Sequence, residues 1–229
     1  MRIGLFTDTY LPDVNGVVSS IVTLQQELEK NGHDVFVITT HPGLLQVQRE
    51  GNVLRLPGVE LKSLYGYVLT SPIHFAVLKD IREMELDVIH AHTEFGVGIF
   101  ARIVAKMLQI PLVSTYHTTY EDYTHYVNVF NLETVDKVAK KAVSSLSKLY
   151  GETSTELIAP SQKTKEMLQR YGIKKRIHVI PTGLDLQRFD AHRTDAETIR
   201  QRREELMANP EETLIIFVGR IAKEKRIDF

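Results

Sequence analysis

The sequence has 229 residues, of which 43% are hydrophobic and 25% charged, and it carries a formal net charge of −1 with no cysteine. This composition is ordinary for a globular protein and gives no general attraction to nucleic acid. The absence of cysteine excludes disulfides, thiolate catalysis and cysteine metal sites. The N-terminus has no apolar segment typical of a signal peptide, and the longest run without a charged residue, Ser63 to Leu78, is too short to span a membrane. We therefore expect a cytoplasmic protein.

Short apolar runs alternate with helical patterns along the whole chain. The runs are Ile3 to Phe6, Val35 to Thr39, Val53 to Leu56, Val88 to His90, Leu112 to Tyr116, Leu157 to Ala159, Ile177 to Ile180 and Leu214 to Val218. Most are continuously apolar, as in strands that are buried on both faces. Amphipathic helical patterns lie between them, from Val17 to Leu28 and from Val97 to Leu108. This order predicts an α/β fold with a Rossmann-like, doubly wound parallel sheet.

The loop after the first strand is one candidate site, because such sheets bind ligands at the carboxyl ends of their strands. In FTDTYLPDVNGVVSS, a helix is expected to begin near Val17. Gly16 would let an anionic group approach the backbone at the helix N-terminus, although a flexible turn is the plainer explanation. The chain has no G-x-G-x-x-G motif, which argues against a dinucleotide cofactor.

The segment HAHTEF places His90, His92 and Glu94 at alternating positions after the fourth apolar run. On a strand, alternating residues face one way, so a metal site is conceivable. Polar residues at a strand end more often hydrogen-bond neighbouring loops, and we expect no metal here.

The segment STYHTTYEDYTHY holds four of the nine tyrosines in the chain. His117 follows an apolar run, so it is expected at the crevice, where a neutral imidazole can bind a substrate hydroxyl or act on a proton. A structural histidine that holds the loop is the alternative. Tyrosine rings and carboxylates suit a polyol, and Tyr120 and Glu121 are therefore expected to border an acceptor groove.

The C-terminal segment IIFVGRIAKEKRIDF follows an expected strand with a glycine and several cations. Arg220 and Lys225 at a strand end could clamp a diphosphate, whereas such charged runs are usually solvated loops.

Residues 133–176 carry ten basic and five acidic side chains. On a helix over Val135 to Tyr150, one face holds lysines and the opposite face is apolar. The lysines are Lys137, Lys140, Lys141 and Lys148, and the apolar residues are Val135, Val138, Ala142, Leu146 and Leu149. The simplest prediction packs the apolar face on the core and leaves the lysines in water. The alternative is contact between the lysine face and an anionic membrane surface.

The motifs DVNGVVSS, DVIHAHTEF, TYHTTYEDYTHY, IPTGLDLQRF and VGRIAKEK resemble, in order and spacing, glycosyltransferase family 4 with the GT-B fold. HTEF and YEDYTHY are similar in particular to the bacterial diacylglycerol glucosyltransferases. In this family, Gly16 matches a glycine that faces the donor diphosphate, and His117 matches a histidine that contacts the donor sugar. Arg220 and Lys225 match the cations that neutralise the leaving group.

The resemblance implies a retaining transfer of a hexose from a nucleotide sugar, UDP-glucose, to a lipid such as diacylglycerol. It requires no cofactor and no metal, and it implies an enzyme bound peripherally to the inner face of the cell membrane. Other acceptors (a phospholipid, a sugar or a thiol precursor), a non-catalytic lipid-binding module and a nucleotide-binding oxidoreductase are the alternatives.

The resemblance also implies a division of the chain. We expect an acceptor-binding domain over residues 1–190, a linker over 191–212, and over 213–229 the first strand and loop of a nucleotide-sugar-binding domain. The resemblance also implies that the family's second domain, which carries its E-x7-E motif and most of the nucleotide pocket, is not contained in these 229 residues, so the chain alone is expected to be inactive.

Overall fold

A computed structural model describes residues 1–61, 67–117, 133–184, 186, 190, 194–207, 209 and 212–219, and for residues 133–140 it describes the backbone alone. The chain forms two compact units, Met1–Gly183 and Leu184–Phe229. The division falls after Gly183, somewhat before the boundary expected at residue 190.

The first unit is built on one sheet. Its strands are β1 (Arg2–Phe6), β2 (Asp34–Pro42), β3 (Gln48–Glu50), β4 (Val53–Leu61), β5 (Tyr67–Thr70), β6 (Val88–Ala91), β7 (Leu112–Thr115), β8 (Glu156–Ala159) and β9 (Ile177–Val179). The order is β3-β4-β2-β1-β6-β7-β8-β9, and β5 also pairs with β4. Only β3 and β5 run antiparallel to their neighbour among the described strands. The predicted α/β fold with a mostly parallel sheet is confirmed.

Helices connect the parallel strands. In the first unit they are α1 (Gly16–Lys30), α2 (Leu78–Glu83), α3 (Gly96–Leu108), α4 (Glu133–Thr153) and α5 (Gln162–Arg170). Side-chain caps fix two starts: Asn15 accepts the Val18 N–H of α1, and Ser161 accepts the Thr164 N–H of α5. These starts lie at the carboxyl edge of the sheet, where each helix follows a strand.

The sheet is covered on both faces, which explains its continuously apolar strands. On one face Phe6 and Ile89 pack with Phe100 of α3. On the other face Leu5 and its neighbours pack with Ile21 of α1. Full burial of each such side chain stabilises the fold by about 1.5–3 kcal/mol.

The helix α4 forms as predicted, but the prediction that its apolar face packs on the core is wrong for the side chains described. Leu146 and Leu149 are 41% and 55% exposed. The buried side consists of Ser147, Tyr150 and Gly151. Small and hydrogen-bonded residues let α4 pack closely: the Ser147 hydroxyl lies 2.8 Å from the Tyr116 hydroxyl, and a Cβ on Gly151 would clash with an isoleucine.

The second unit differs from the sequence prediction in two respects. A helix, α6 (Ala196–Leu206), occupies the predicted linker. Leu214 to Val218, predicted as a strand, form no regular strand, and Ile215 and Val218 are 88% and 90% exposed. A strand needs a hydrogen-bonded neighbour, and within the described residues no strand lies beside this segment. None of the helices in the described part of the chain is long and apolar enough to cross a membrane.

Candidate active site

Four parallel strands end side by side at the middle of the carboxyl edge of the sheet, since β2, β1, β6 and β7 are consecutive neighbours. Their adjacency brings the loop after β1, the segment after β6 and the residues after β7 to one crevice. His92 continues the ladder beyond β6, because its N–H donates to the Phe6 carbonyl at 2.8 Å. Tyr116 does the same beyond β7, on the Ile158 carbonyl at 2.9 Å.

Three histidines, one within β6 and one directly after β6 with another shortly after β7, form a cluster in this crevice. His92 Nδ1 lies 2.9 Å from His117 Nε2, and the two rings stack with centroids 5.2 Å apart. The His90 ring lies 4.0 Å from the His92 ring, and His90 Nε2 lies 2.7 Å from the Thr115 hydroxyl. The alternation in HAHTEF therefore does put His90 and His92 on one side, and the neighbouring strand supplies His117.

Burial keeps the cluster neutral. It lowers the pKa of His90 to about 3 and the pKa of His117 to about 4, and it lowers the pKa of His92 well below 6.5. Each proton added would also repel the neighbouring imidazoles, which lowers the pKa of His90 and His92 further. At pH 7 the cluster can donate and accept hydrogen bonds without carrying charge. Among the described residues, no group of three or more His, Asp or Glu side chains is arranged to hold a metal ion.

Gly16 is the first residue of α1 and is exposed. Its φ is not positive, and a Cβ built on it would meet nothing within 4 Å. The fold therefore does not require a glycine at this position, unlike Gly98, where a Cβ would overlap the Thr93 carbonyl oxygen. Open space at the N-terminus of a capped helix is suited to an anionic group that approaches the backbone closely.

Asp8 was not singled out from the sequence, yet it organises the same edge. Its Oδ1 accepts the Val97 N–H at the start of α3 at 2.8 Å, and its own N–H donates to the Thr93 hydroxyl at 3.0 Å. Burial raises the pKa of Asp8. Burial, and then the nearby carboxylate of Asp8, also raise the pKa of Tyr67. An acidic residue directly after a buried strand was the signal that could have identified it.

Arg102 of α3 is a second residue that sequence reasoning missed. Its guanidinium donates to the Gly98 carbonyl at 2.7 Å and to the Ser114 hydroxyl at 3.3 Å. It also lies over the Tyr150 ring at 4.4 Å, which joins α3 to α4 by a cation–π contact. Burial lowers the pKa of Arg102, and the nearby charge of Glu94 opposes this shift.

Several predicted site residues lie outside the described residues: Tyr120, Glu121, Arg220 and Lys225. Lys137 and Lys140 lie on the part of α4 for which only the backbone is described. Lys141 and Lys148 are exposed on α4, on the same helix as the exposed leucines.

Rossmann-like domains are a class of protein that binds ligands at the carboxyl edge of the sheet, and a helix N-terminus at that edge favours anionic groups. The sequence model of Glycosyltransferase Family 4 matches residues 14–188, and the chain belongs to this family.

Two relatives align with nearly the whole chain. The alpha-monoglucosyldiacylglycerol synthase of Acholeplasma laidlawii is 37% identical over 229 residues, covering 99% of this chain and 57% of that protein. The protein of the same name from Streptococcus pneumoniae is 35% identical over 227 residues, covering 99% of this chain and 50% of that protein. The chain thus spans about half the length of the curated relatives it matches.

Among solved structures, the catalytic domain of starch synthase IV from Arabidopsis thaliana, bound to ADP and acarbose, matches with a TM-score of 0.52. The match has 12% identity and covers 93% of this chain and 60% of that chain. It supports the fold, and the resemblance to GT-B glycosyltransferases is confirmed.

Proposed function

We propose that this chain is the acceptor-side part of a retaining hexosyltransferase that transfers glucose from UDP-glucose to diacylglycerol. The observation that carries the proposal is the identity of 37% and 35% to two alpha-monoglucosyldiacylglycerol synthases along 99% of the chain. The aligned region includes every residue of the carboxyl-edge crevice.

The donor diphosphate binds in front of Gly16 in this proposal. The free space over the glycine and the positive end of the α1 dipole favour an anion there. Arg220 and Lys225, which lie outside the described residues, are proposed to neutralise the charge of the diphosphate. Replacing either cation with alanine should weaken binding of nucleoside diphosphate, and binding that is insensitive to both changes would remove them from the site.

The chemistry needs no protein nucleophile. The acceptor hydroxyl attacks C1 of glucose on the face from which the diphosphate departs, the C1–O bond breaks, and the hydroxyl proton passes to the departing phosphate oxygen. Cations around the diphosphate stabilise the charge that develops on it. UDP-glucose carries an α-linked glucose, so an α-glucoside product, as the names of both relatives state, means retention.

The acceptor is proposed to meet an apolar rim of exposed residues. The rim is formed by exposed residues of the loops that follow β1, β2 and β5: Val14, Leu44, Leu45, Ile73 and Phe75. All five carry large apolar side chains that are exposed, and such a surface suits the acyl part of a lipid. Tyr120 and Glu121 are proposed to bind the polar end of the acceptor.

The membrane contact is proposed on α4. Its exposed leucines, Leu146 and Leu149, accompany the exposed Lys141 and Lys148, so the helix offers both apolar surface and positive charge. Each lysine near an anionic bilayer contributes about 1 kcal/mol. Because the protein's core does not use these leucines, their burial in the interface costs the fold nothing.

A transfer assay tests the proposal. The 229-residue chain and the protein expressed from its complete reading frame are each given radiolabelled UDP-glucose and other nucleotide sugars with diacylglycerol, phospholipid or sugar acceptors in detergent. We expect a labelled lipid only when the protein from the complete reading frame is given UDP-glucose and diacylglycerol, and none with the 229-residue chain. Lipid binding without transfer, under every condition, would favour a non-catalytic lipid-binding module instead.

Vesicle sedimentation tests the membrane contact separately. Changing the four lysines of α4 to glutamine should release the protein from anionic vesicles, and added salt should weaken binding of the unchanged protein. Changing Leu146 and Leu149 to serine should also weaken binding, with little effect on transfer in detergent. The matched control changes Ile73 and Phe75 to serine. If the lysine variant bound anionic vesicles fully and the variant of Ile73 and Phe75 did not, the membrane contact would lie on the apolar rim and not on α4.

A further inference from the structure

The ring nitrogens of His92 and His117 differ in burial and in hydrogen bonding. His92 is 2% exposed, and its Nε2 is buried without a hydrogen-bond partner among the described residues. Its Nδ1 lies 2.9 Å from His117 Nε2. His117 is partly exposed, and within the described residues its Nδ1 has no hydrogen-bond partner.

Two arrangements of protons satisfy the bond between the imidazoles. In one, His92 Nδ1–H donates to His117 Nε2, so the proton of His117 is on Nδ1 and the buried Nε2 of His92 is bare. In the other, His117 Nε2–H donates to His92 Nδ1, so the buried Nε2 of His92 carries an N–H with no acceptor. A neutral imidazole has one N–H, and these two arrangements are therefore exclusive.

The first arrangement has the lower energy. A buried N–H without an acceptor is among the rarest unsatisfied groups in proteins, because it loses its full hydrogen bond to water. A buried acceptor without a donor is found somewhat more often than a buried N–H without an acceptor. The stacked His90 ring, which lies 4.0 Å from His92 and bonds Thr115 instead, offers His92 Nε2 no partner in either case.

We propose that His92 is a positioning residue that fixes the tautomer of His117, so that His117 presents an Nδ1–H donor to the crevice. The inference rests on the proposed function in one respect, the group that accepts the hydrogen bond from Nδ1–H. In that function the acceptor is an oxygen of a sugar hydroxyl or of a phosphate. An Nδ1–H cannot take a proton, so His117 orients or polarises the donor substrate and does not act as the base for the acceptor hydroxyl. The proton of that hydroxyl must then leave with the diphosphate.

Ring ¹⁵N NMR of the histidine-labelled 229-residue chain tests the tautomer directly, because long-range ¹H–¹⁵N correlations distinguish protonated from bare ring nitrogens. We expect His117 to be protonated on Nδ1 at pH 7. His92→Phe keeps the ring stack and removes the donor, so the Nδ1–H form of His117 should no longer dominate. His92→Asn places an amide N–H near the position of Nδ1 and should restore it.

His90→Phe is the matched control, since it changes a ring of the same cluster that does not bond His117; it should leave the His117 tautomer unchanged. A His117 proton on Nε2 in the unchanged chain overturns the inference, even if a His92 variant fails to fold. An unchanged tautomer in folded His92→Phe also overturns it.

Transfer by the protein from the complete reading frame gives an independent readout. His92→Phe should lower kcat by at least about 10-fold, because His117 would lose its orientation or its Nδ1–H tautomer. His92→Asn should restore most of the lost kcat. Equal loss in both variants would contradict the inference. If the unchanged protein transfers no sugar, the proposed function fails, while the NMR result still decides the tautomer.

Discussion

Acidification from about pH 7.5 to about pH 5 should destabilise the first unit through its three buried histidines. In the unfolded chain an imidazole titrates near its ordinary pKa of 6.5, whereas burial lowers the pKa to about 3 in His90 and about 4 in His117 and well below 6.5 in His92. The unfolded state therefore binds more protons in this range. Stability is fully present above about pH 6.5 and is lost as the pH falls towards the folded pKa values.

The size of the loss follows from the same values. At pH 5, protonation stabilises each unfolded imidazole by about 2 kcal/mol, whereas it hardly stabilises a folded imidazole whose pKa lies well below 5. Three independent sites would give about 6 kcal/mol. The lowered pKa of His74 acts in the same direction, and the raised pKa of Asp8 acts against it. We expect a net loss of about 3 to 6 kcal/mol, comparable to the total stability of many domains.

Urea unfolding of the chain at a series of pH values measures this loss, with circular dichroism as the probe. His117→Gln removes one of the three imidazoles and keeps an amide able to bond His92, so its loss between the two pH values should be about a third smaller. Stability that stays constant down to pH 5 would refute the neutral cluster. An undiminished loss in His117→Gln would refute the contribution assigned to His117.

Three further predictions concern single side chains. His117→Ala, in the protein from the complete reading frame, should lower kcat by at least about 100-fold, and near-normal turnover in a folded variant would exclude it from the mechanism. Gly16→Ala should change the free energy of unfolding by less than about 0.5 kcal/mol and should weaken the binding of nucleoside diphosphate measured by calorimetry. In the control Gly98→Ala, the added Cβ would overlap a carbonyl oxygen, so the free energy of unfolding should fall by more than about 2 kcal/mol. Ser147→Ala removes a buried bond to a tyrosine hydroxyl and should cost about 1 kcal/mol in urea unfolding. Its control, Ser145→Ala on the exposed side, should be neutral within about 0.5 kcal/mol, and equal effects would contradict the packing of α4.

The central strands could be predicted because burial on both faces makes them continuously apolar, as in β1 and β6. The two antiparallel strands, β3 and β5, could not. All three residues of β3, Gln48–Glu50, are exposed, and β5, Tyr67–Thr70, has one buried residue. These strands form because their backbones hydrogen-bond to β4. Backbone pairing does not require apolar side chains, so the hydrophobic pattern of the sequence does not reveal it.

The orientation of α4 was not predictable from periodicity, since polar residues can replace apolar ones in a core when their partners are present. Tyr150 is buried against the guanidinium of Arg102, and Ser147 is buried against the hydroxyl of Tyr116. The apolar stripe through Leu146 and Leu149 is exposed instead of packed on the core, as its pattern had favoured.

The position of the candidate site could be predicted from the sequence, but the contacts between its side chains could not. The strand-end rule brings His117 and Gly16 to the same edge, and the alternation of His90 and His92 predicts that they share a face. The bond between His92 and His117 depends on the register of β6 beside β7, Ile89 opposite Leu112, which only the structure provides.

The product formed from UDP-glucose and diacylglycerol tests the central claim most directly. The protein from the complete reading frame is incubated with both substrates in detergent, and the lipid product is analysed by mass spectrometry and by the proton coupling at its anomeric carbon. The account predicts a monohexosyl diacylglycerol with an α linkage, lost in His117→Ala. A β-linked product would contradict retention, and no glycolipid from a folded protein that binds UDP-glucose would contradict the transfer itself.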